Sequence, residues 1–246
     1  MVADSTAPES SSVSPTSRGS RIFQLILVLT VAFGLPIIGS LMVFFGRRTL
    51  HPATQPRTFV AIIFQVIGLS CLALVLKYQK RSFKDIGVRL PMRIVEVAHS
   101  FGLFLGAFPV GLLAGLVLVG VYAAFGHQIH PAFDASALFG DHITILTVLF
   151  VLLNPFHEEL IVRGFLITEM EALYNNRALA IFVSVLIQSS YHLYQGLAAA
   201  LLHASTFWLF SIYFVRTRRI LPVVMAHMFL DVSALAAFAR LLAKHN

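Results

Sequence analysis

Seven apolar runs, each long enough to cross a lipid bilayer and separated by short polar breaks, decide the class of this chain before any motif is considered. They extend over about 22–45, 58–76, 94–125, 143–170, 178–195, 197–215 and 220–243. Crossing about 30 Å of hydrocarbon takes roughly 20 apolar residues in a helix, where every backbone polar group is satisfied within the segment. With 58% hydrophobic and 12% charged residues and a mean hydropathy of +0.84, the 246 residues carry more apolar surface than one soluble core can hide. A water-soluble globular enzyme is excluded. The expected fold is all-α, a polytopic transmembrane helical bundle of seven or eight spans, organised as one membrane domain over 21–246.

The formal charge of +7 comes from Lys and Arg in the connections between runs. Arg18, Arg21, Lys77, Lys80, Arg81, Lys84, Arg89, Arg93, Arg177, Arg216, Arg218 and Arg219 fall on one side, and Arg47, Arg48, Arg57, Arg240 and Lys244 on the other. Cytoplasmic loops hold the excess of basic residues, so the N-terminus is expected in the cytoplasm. The charge is thereby explained by topology, and no nucleic-acid partner is expected. Residues 1–20, rich in Ser, Thr and Pro, read as a disordered tail rather than a secretory signal. The basic connection 77–93 is expected to lie along the inner membrane surface near anionic headgroups. In the third run, Gly102, Gly106, Gly111, Gly115 and Gly120 are expected to let helix backbones approach closely. The single Cys71 permits neither an intramolecular disulfide nor a multi-thiolate metal site.

Eight of the eleven acidic residues fall in the tail, loops or span ends; Glu158, Glu159 and Asp231 do not. A charge near the bilayer centre costs about 2.5–3.5 kcal/mol on insertion scales, so these three require partners and mark a candidate functional site. Glu159 and Arg163 stand four residues apart, acid before base, and are expected to form an ion pair. Glu158, rotated by about 100° around the helix, is left free to act as a general base on water. Pro155 is expected to kink this helix and open room beside Glu158. In the next run, Gln188 and His192 are one turn apart, and Gln188 is placed to hydrogen-bond the imidazole or to reshape the pocket. In the last, His227 and Asp231 share a face at a spacing of four and can bind a proton, a metal or a developing negative charge. His203 and His99 have no such companions and read as packing residues. The pair His157-Glu158 would open the zinc motif in which two histidines bracket a glutamate on one helix, but Ile161 stands where the second histidine belongs. No cofactor is expected; a metal ion held by Glu158, His192 and His227, with Asp231, stays open as the alternative. At about 1.5 Å per residue, His227 lies about 10 Å, Glu158 about 18 Å and His192 about 22 Å from the cytoplasmic ends, so bringing them level requires tilted or broken helices.

Glu158-Glu159 followed by Arg163, a histidine in the next run, and His227 with Asp231 four apart form three blocks in fixed order. This order resembles the CPBP family of CAAX proteases and bacteriocin-processing enzymes, also called the Abi family. The resemblance covers a core of about 142–235, including Tyr191-His192-Leu193-Tyr194-Gln195-Gly196. It implies an intramembrane endopeptidase that cleaves a membrane-anchored or CaaX-like protein or peptide, sited in a bacterial plasma membrane. It further implies that Glu158 and His192 activate the attacking water, that His227 and Asp231 form the oxyanion site, and that Glu159 and Arg163 support them. Gln188 departs from the pattern, which has phenylalanine there. As an ionised carboxylate Asp231 would repel an oxyanion, so it is expected to be protonated or to orient His227. Two alternatives use the same residues: a non-catalytic membrane scaffold or immunity factor of this family, and a proton-coupled carrier relaying through Glu158, His192 and Asp231. The oligomeric state is not legible from the chain.

Overall fold

The computed structural model describes residues 17–126 and 135–245, and among them all regular structure is helical. Most of the tail therefore lies outside the described residues, as does Asp134. The main helices are α1 (Arg18–Phe44), α2 (Gln55–Tyr78), α3 (Ile94–Ala124), α4 (Ser136–Phe139), α5 (Ile145–Glu159), α6 (Thr168–Tyr174), α7 (Arg177–Ser190), α8 (Leu197–Thr217) and α9 (Leu221–His245). A π-helical segment, Leu160–Ile167, joins α5 to α6 without a break, so that Ile145–Tyr174 is one span. Among the described residues six helices are long and apolar enough to cross a membrane, and α7 is a shorter apolar one. Leu112, Leu113 and Leu116 of α3 are among many large apolar side chains exposed on the outside of the bundle, where they face lipid. The chain is an integral membrane protein.

Local chemistry sets the helix ends. Ser17 accepts a hydrogen bond from the Ser20 amide at 3.3 Å, so α1 begins at Arg18, and Arg18, Gly19 and Ser20 are helical rather than part of the tail. Thr144 caps α5 and Asn176 caps α7, each accepting from an amide three residues on. The fifth run does not continue to residue 195 as one helix. It stops at Ser190, passes through a 3₁₀ turn, Leu193–Gln195, and re-enters helix after Gly196, whose φ of +93° suits glycine alone. At 14 residues α7 is about 21 Å long, too short to cross unaided. α5 runs on through Pro155, and the regular hydrogen-bond pattern changes at Leu160, where the π segment begins. π-Helical insertions inside α-helices cluster at functional sites.

The α5–π segment lies at the centre of the bundle. α5 packs on α2 and α9, the π segment on α7, and α3 lies across α8 and α9, while α1 covers α2 and the 3₁₀ turn. All eight residues of the π segment are buried. The glycines of α3 do not line a close helix contact within the chain. A Cβ on Gly106 or Gly115 would make only ordinary contact with Leu209 or Leu202 of α8, and one on Gly102, Gly111 or Gly120 would meet nothing. Helical spacing placed three of the five on the outward side, where no neighbour exploits them.

Ion pairs tie the basic end of the bundle together. Glu169, fully buried, pairs with Arg21 at 2.9 Å and with Arg81; Glu96 pairs with Arg93 at 3.3 Å and with Arg219; Glu171 pairs with Arg218 and with Arg177. The connection 77–93 is docked into this end. Ile86 is fully buried, the Ile220 amide donates to the Gly87 carbonyl at 3.0 Å, and the Ser82 amide and hydroxyl both donate to Asp85, holding that carboxyl below the usual carboxylate range. Ile86 closes on Gly164 so tightly that a Cβ there would stand 2.9 Å from the Ile86 carbonyl oxygen. Gly164→Ala is therefore expected to lower stability: forcing backbone apart costs about 1–3 kcal/mol, more than the roughly 1 kcal/mol that alanine gains in helix propensity. Thermal unfolding in detergent checks this, and an unchanged or higher midpoint would contradict the packing described.

Candidate active site

The centre of the α5–π span presents four polar side chains of different fate, Asn154, Glu158, Glu159 and Arg163. Asn154 lies one turn before Glu158, and Arg163 one turn after Glu159. The expected ion pair is present: Arg163 Nη1 donates to Glu159 Oε1 at 3.1 Å, and both side chains are fully buried. The guanidinium also donates to the Phe207 carbonyl at 3.5 Å and stacks over the Phe207 ring, with Cζ 4.9 Å from its centre. His227 Nδ1 lies 2.7 Å from the same Glu159 oxygen. Glu159 is thus shared by a cation from its own helix and an imidazole from α9.

Glu158 faces elsewhere. Its Oε2 accepts a hydrogen bond from Gln188 Nε2 at 2.8 Å, and both residues are buried. Of the two roles open to Gln188, the hydrogen bond to His192 is not the one made: its described partner is Glu158. Because α7 ends at Ser190, His192 leaves the helical path and is no longer stacked one turn beyond Gln188. Glu158 remains within electrostatic reach of His227, Asp231 and Glu159.

His227 Nε2 is 3.5 Å from Asp231 Oδ1 on the next turn of α9. Asp231 is held on its other oxygen by Asn154 Nδ2 at 3.4 Å, and Asn154 Oδ1 in turn accepts from Gln65 Nε2 of α2 at 3.0 Å. A polar chain of three helices thus ends on Asp231. Neither Asn154 nor Gln65 stood out in the sequence as more than isolated polar residues. The usable signal was that Asn154 precedes Glu158 by four, on the same face.

The break between α7 and α8 delivers His192 to this cluster. Its ring centre is 5.4 Å from that of Phe207, which is 6.4 Å from that of His227. Phe207 is the hub: its ring contacts His192, His203, His227 and Arg163. Among the described residues no three His, Cys, Asp or Glu side chains are grouped so as to hold one metal ion. Glu158 and His192 each lie within electrostatic reach of His227 and Asp231.

What such an arrangement can do follows from its parts. It holds one carboxylate whose described hydrogen-bond partner is a neutral amide, one carboxylate neutralised by arginine, and two imidazoles, all enclosed by apolar helices where electrostatic effects are strong. Residues 140–233 match a family model described as type II CAAX prenyl endopeptidase Rce1-like. No curated protein and no solved structure matches the chain.

Proposed function

We propose that this chain, which carries an Rce1-like domain of the CPBP/CAAX protease family over residues 140–233, is an intramembrane endopeptidase that hydrolyses a peptide bond of a membrane-anchored protein or peptide. The observation that carries the reading is the asymmetry of the two adjacent glutamates. Glu159 is engaged by Arg163 and His227, whereas the described hydrogen-bond partner of Glu158 is the neutral amide of Gln188.

In this mechanism Glu158 takes a proton from water, and the resulting hydroxide oxygen bonds to the scissile carbonyl carbon. The electron pair of the C=O bond moves to oxygen, where the Nε2 face of His227 receives the oxyanion. Collapse of this intermediate breaks the C–N bond, and the proton held by Glu158 passes to the leaving nitrogen. His192 holds the water, Asp231 and Asn154 orient His227, and Arg163 keeps Glu159 in place. The basic end faces the cytoplasm, and substrate enters from that side.

Purified protein in liposomes, offered a membrane-anchored reporter peptide, tests the proposal. Wild-type protein is expected to cleave it, and Glu158→Ala and His192→Ala proteins, folded as judged by circular dichroism and gel filtration, are expected not to. Cleavage that survives both substitutions would overturn it. A second reading, a non-catalytic scaffold or immunity factor, draws on the hydrogen bond that Gln188 makes to Glu158. On that reading the cellular phenotype is unaffected by either substitution.

A further inference from the structure

His203, which the sequence left as a packing residue, does not sit apart. Its ring centre is 4.9 Å from that of His192, and its Nε2 is 2.7 Å from Gln195 Oε1. The amide nitrogen of Gln195 lies 2.8 Å from the Tyr194 hydroxyl and 3.4 Å from His192 Nδ1. An amide oxygen only accepts hydrogen bonds and an amide nitrogen only donates. With the Gln195 amide in this orientation, His203 carries a proton on Nε2 and His192 Nδ1 accepts. A neutral imidazole holds one proton, which leaves that of His192 on Nε2.

His192 Nε2 is buried and, among the described residues, has no hydrogen-bond partner. Leaving a buried donor unsatisfied costs about 1–3 kcal/mol, a loss that a site recovers when a ligand oxygen arrives. Phe207 packs against both rings, the His203 ring being stacked on it at 6.0 Å, so neither imidazole is free to turn.

We propose that Gln195, anchored by His203, is a positioning residue that fixes His192 as the Nε2–H tautomer, so that His192 donates to the oxygen of the attacking water. The inference rests on the hydrolase reading and divides its labour. Glu158 alone accepts the proton of water. The Nε2–H of His192 engages one lone pair of the water oxygen and leaves the other for the carbonyl carbon, and His192 ends the cycle with the proton it began with. His203 acts at one remove, by holding the Gln195 amide in the orientation that donates to His192.

Nitrogen-15 NMR of the full chain labelled at histidine, in detergent micelles at neutral pH, reads the tautomer directly, with His192→Gln identifying the resonances. Wild-type protein is expected to show the His192 proton on Nε2. Gln195→Glu, whose carboxylate can only accept, is expected to move that proton to Nδ1 and to lower kcat on the reporter peptide on the order of 100-fold with little change in KM. His203→Gln retains an N–H for Gln195 and is expected to keep the wild-type tautomer and rate, whereas His203→Leu loses both. A wild-type proton on Nδ1, or a tautomer unmoved by Gln195→Glu, would overturn the inference. The wild-type spectrum decides even where a variant fails to fold. Cleavage by a wild-type protein with its proton on Nδ1 sinks this inference alone, whereas the expected tautomers without any cleavage support it and sink the hydrolase reading.

Discussion

Replacing Arg163 by methionine is expected to destabilise the folded protein by about 3–5 kcal/mol, the cost of breaking a buried ion pair from one side. The guanidinium is fully buried, bonded to Glu159 and to the Phe207 carbonyl and stacked on the Phe207 ring. Methionine fills much of its volume, so the loss comes chiefly from Glu159, a fully buried carboxylate left with the His227 imidazole as its remaining hydrogen-bond partner. Restoring neutrality has the opposite sign. Because replacing both members of a buried pair is often neutral, the double variant Arg163→Met with Glu159→Gln is expected to recover most of what the single change removes. Unfolding of the purified proteins in detergent, followed by circular dichroism, measures both. A double variant no more stable than Arg163→Met would show that packing on Phe207, and not charge, is what Arg163 contributes.

Glu158→Gln is expected to have the largest effect on rate and none of that cost in stability. A glutamine oxygen can accept the same hydrogen bond from Gln188, and side-chain volume is kept. Removing a charge from the bilayer interior relieves desolvation, so the variant should be at least as stable as wild type. What disappears is the base. General-base catalysis contributes roughly 10²–10⁴-fold, and kcat on the reporter peptide is expected to fall by that order with KM little changed. A fall confined to KM would instead make Glu158 a substrate-binding group.

Much of the architecture could be read along the chain, because membrane spans are written in local composition and every backbone bond of a helix is local. The pairing of Glu159 with Arg163 was legible for the same reason, being one helical turn. The family suggested by the Glu158, His192 and His227 blocks is also the family whose model matches residues 140–233. What escaped was non-local or backbone-driven. The run turns polar after Ser190, at Tyr191-His192-Leu193-Tyr194-Gln195-Gly196, but a polar stretch does not say how the backbone turns, so spacing alone could not choose between the roles open to Gln188. Asn154 meets Gln65 across 89 positions of sequence, a separation over which periodicity carries no information. His203 was read as packing because its partner Gln195 lies beyond the helix start, outside any i, i+4 rule. The glycines of α3 show the converse error: a local spacing was present, but only Gly106 and Gly115 meet α8, through leucine side chains at ordinary contact distance, and no close backbone approach results.

The most direct test of the account uses purified wild-type protein in liposomes, a membrane-anchored reporter peptide, water enriched in oxygen-18 and mass spectrometry of the products. The account predicts two fragments, with one heavy oxygen in the new carboxylate, and their disappearance with Glu158→Gln protein. An intact peptide in the presence of folded wild-type protein, or fragments formed equally well by the Glu158→Gln protein, would contradict it.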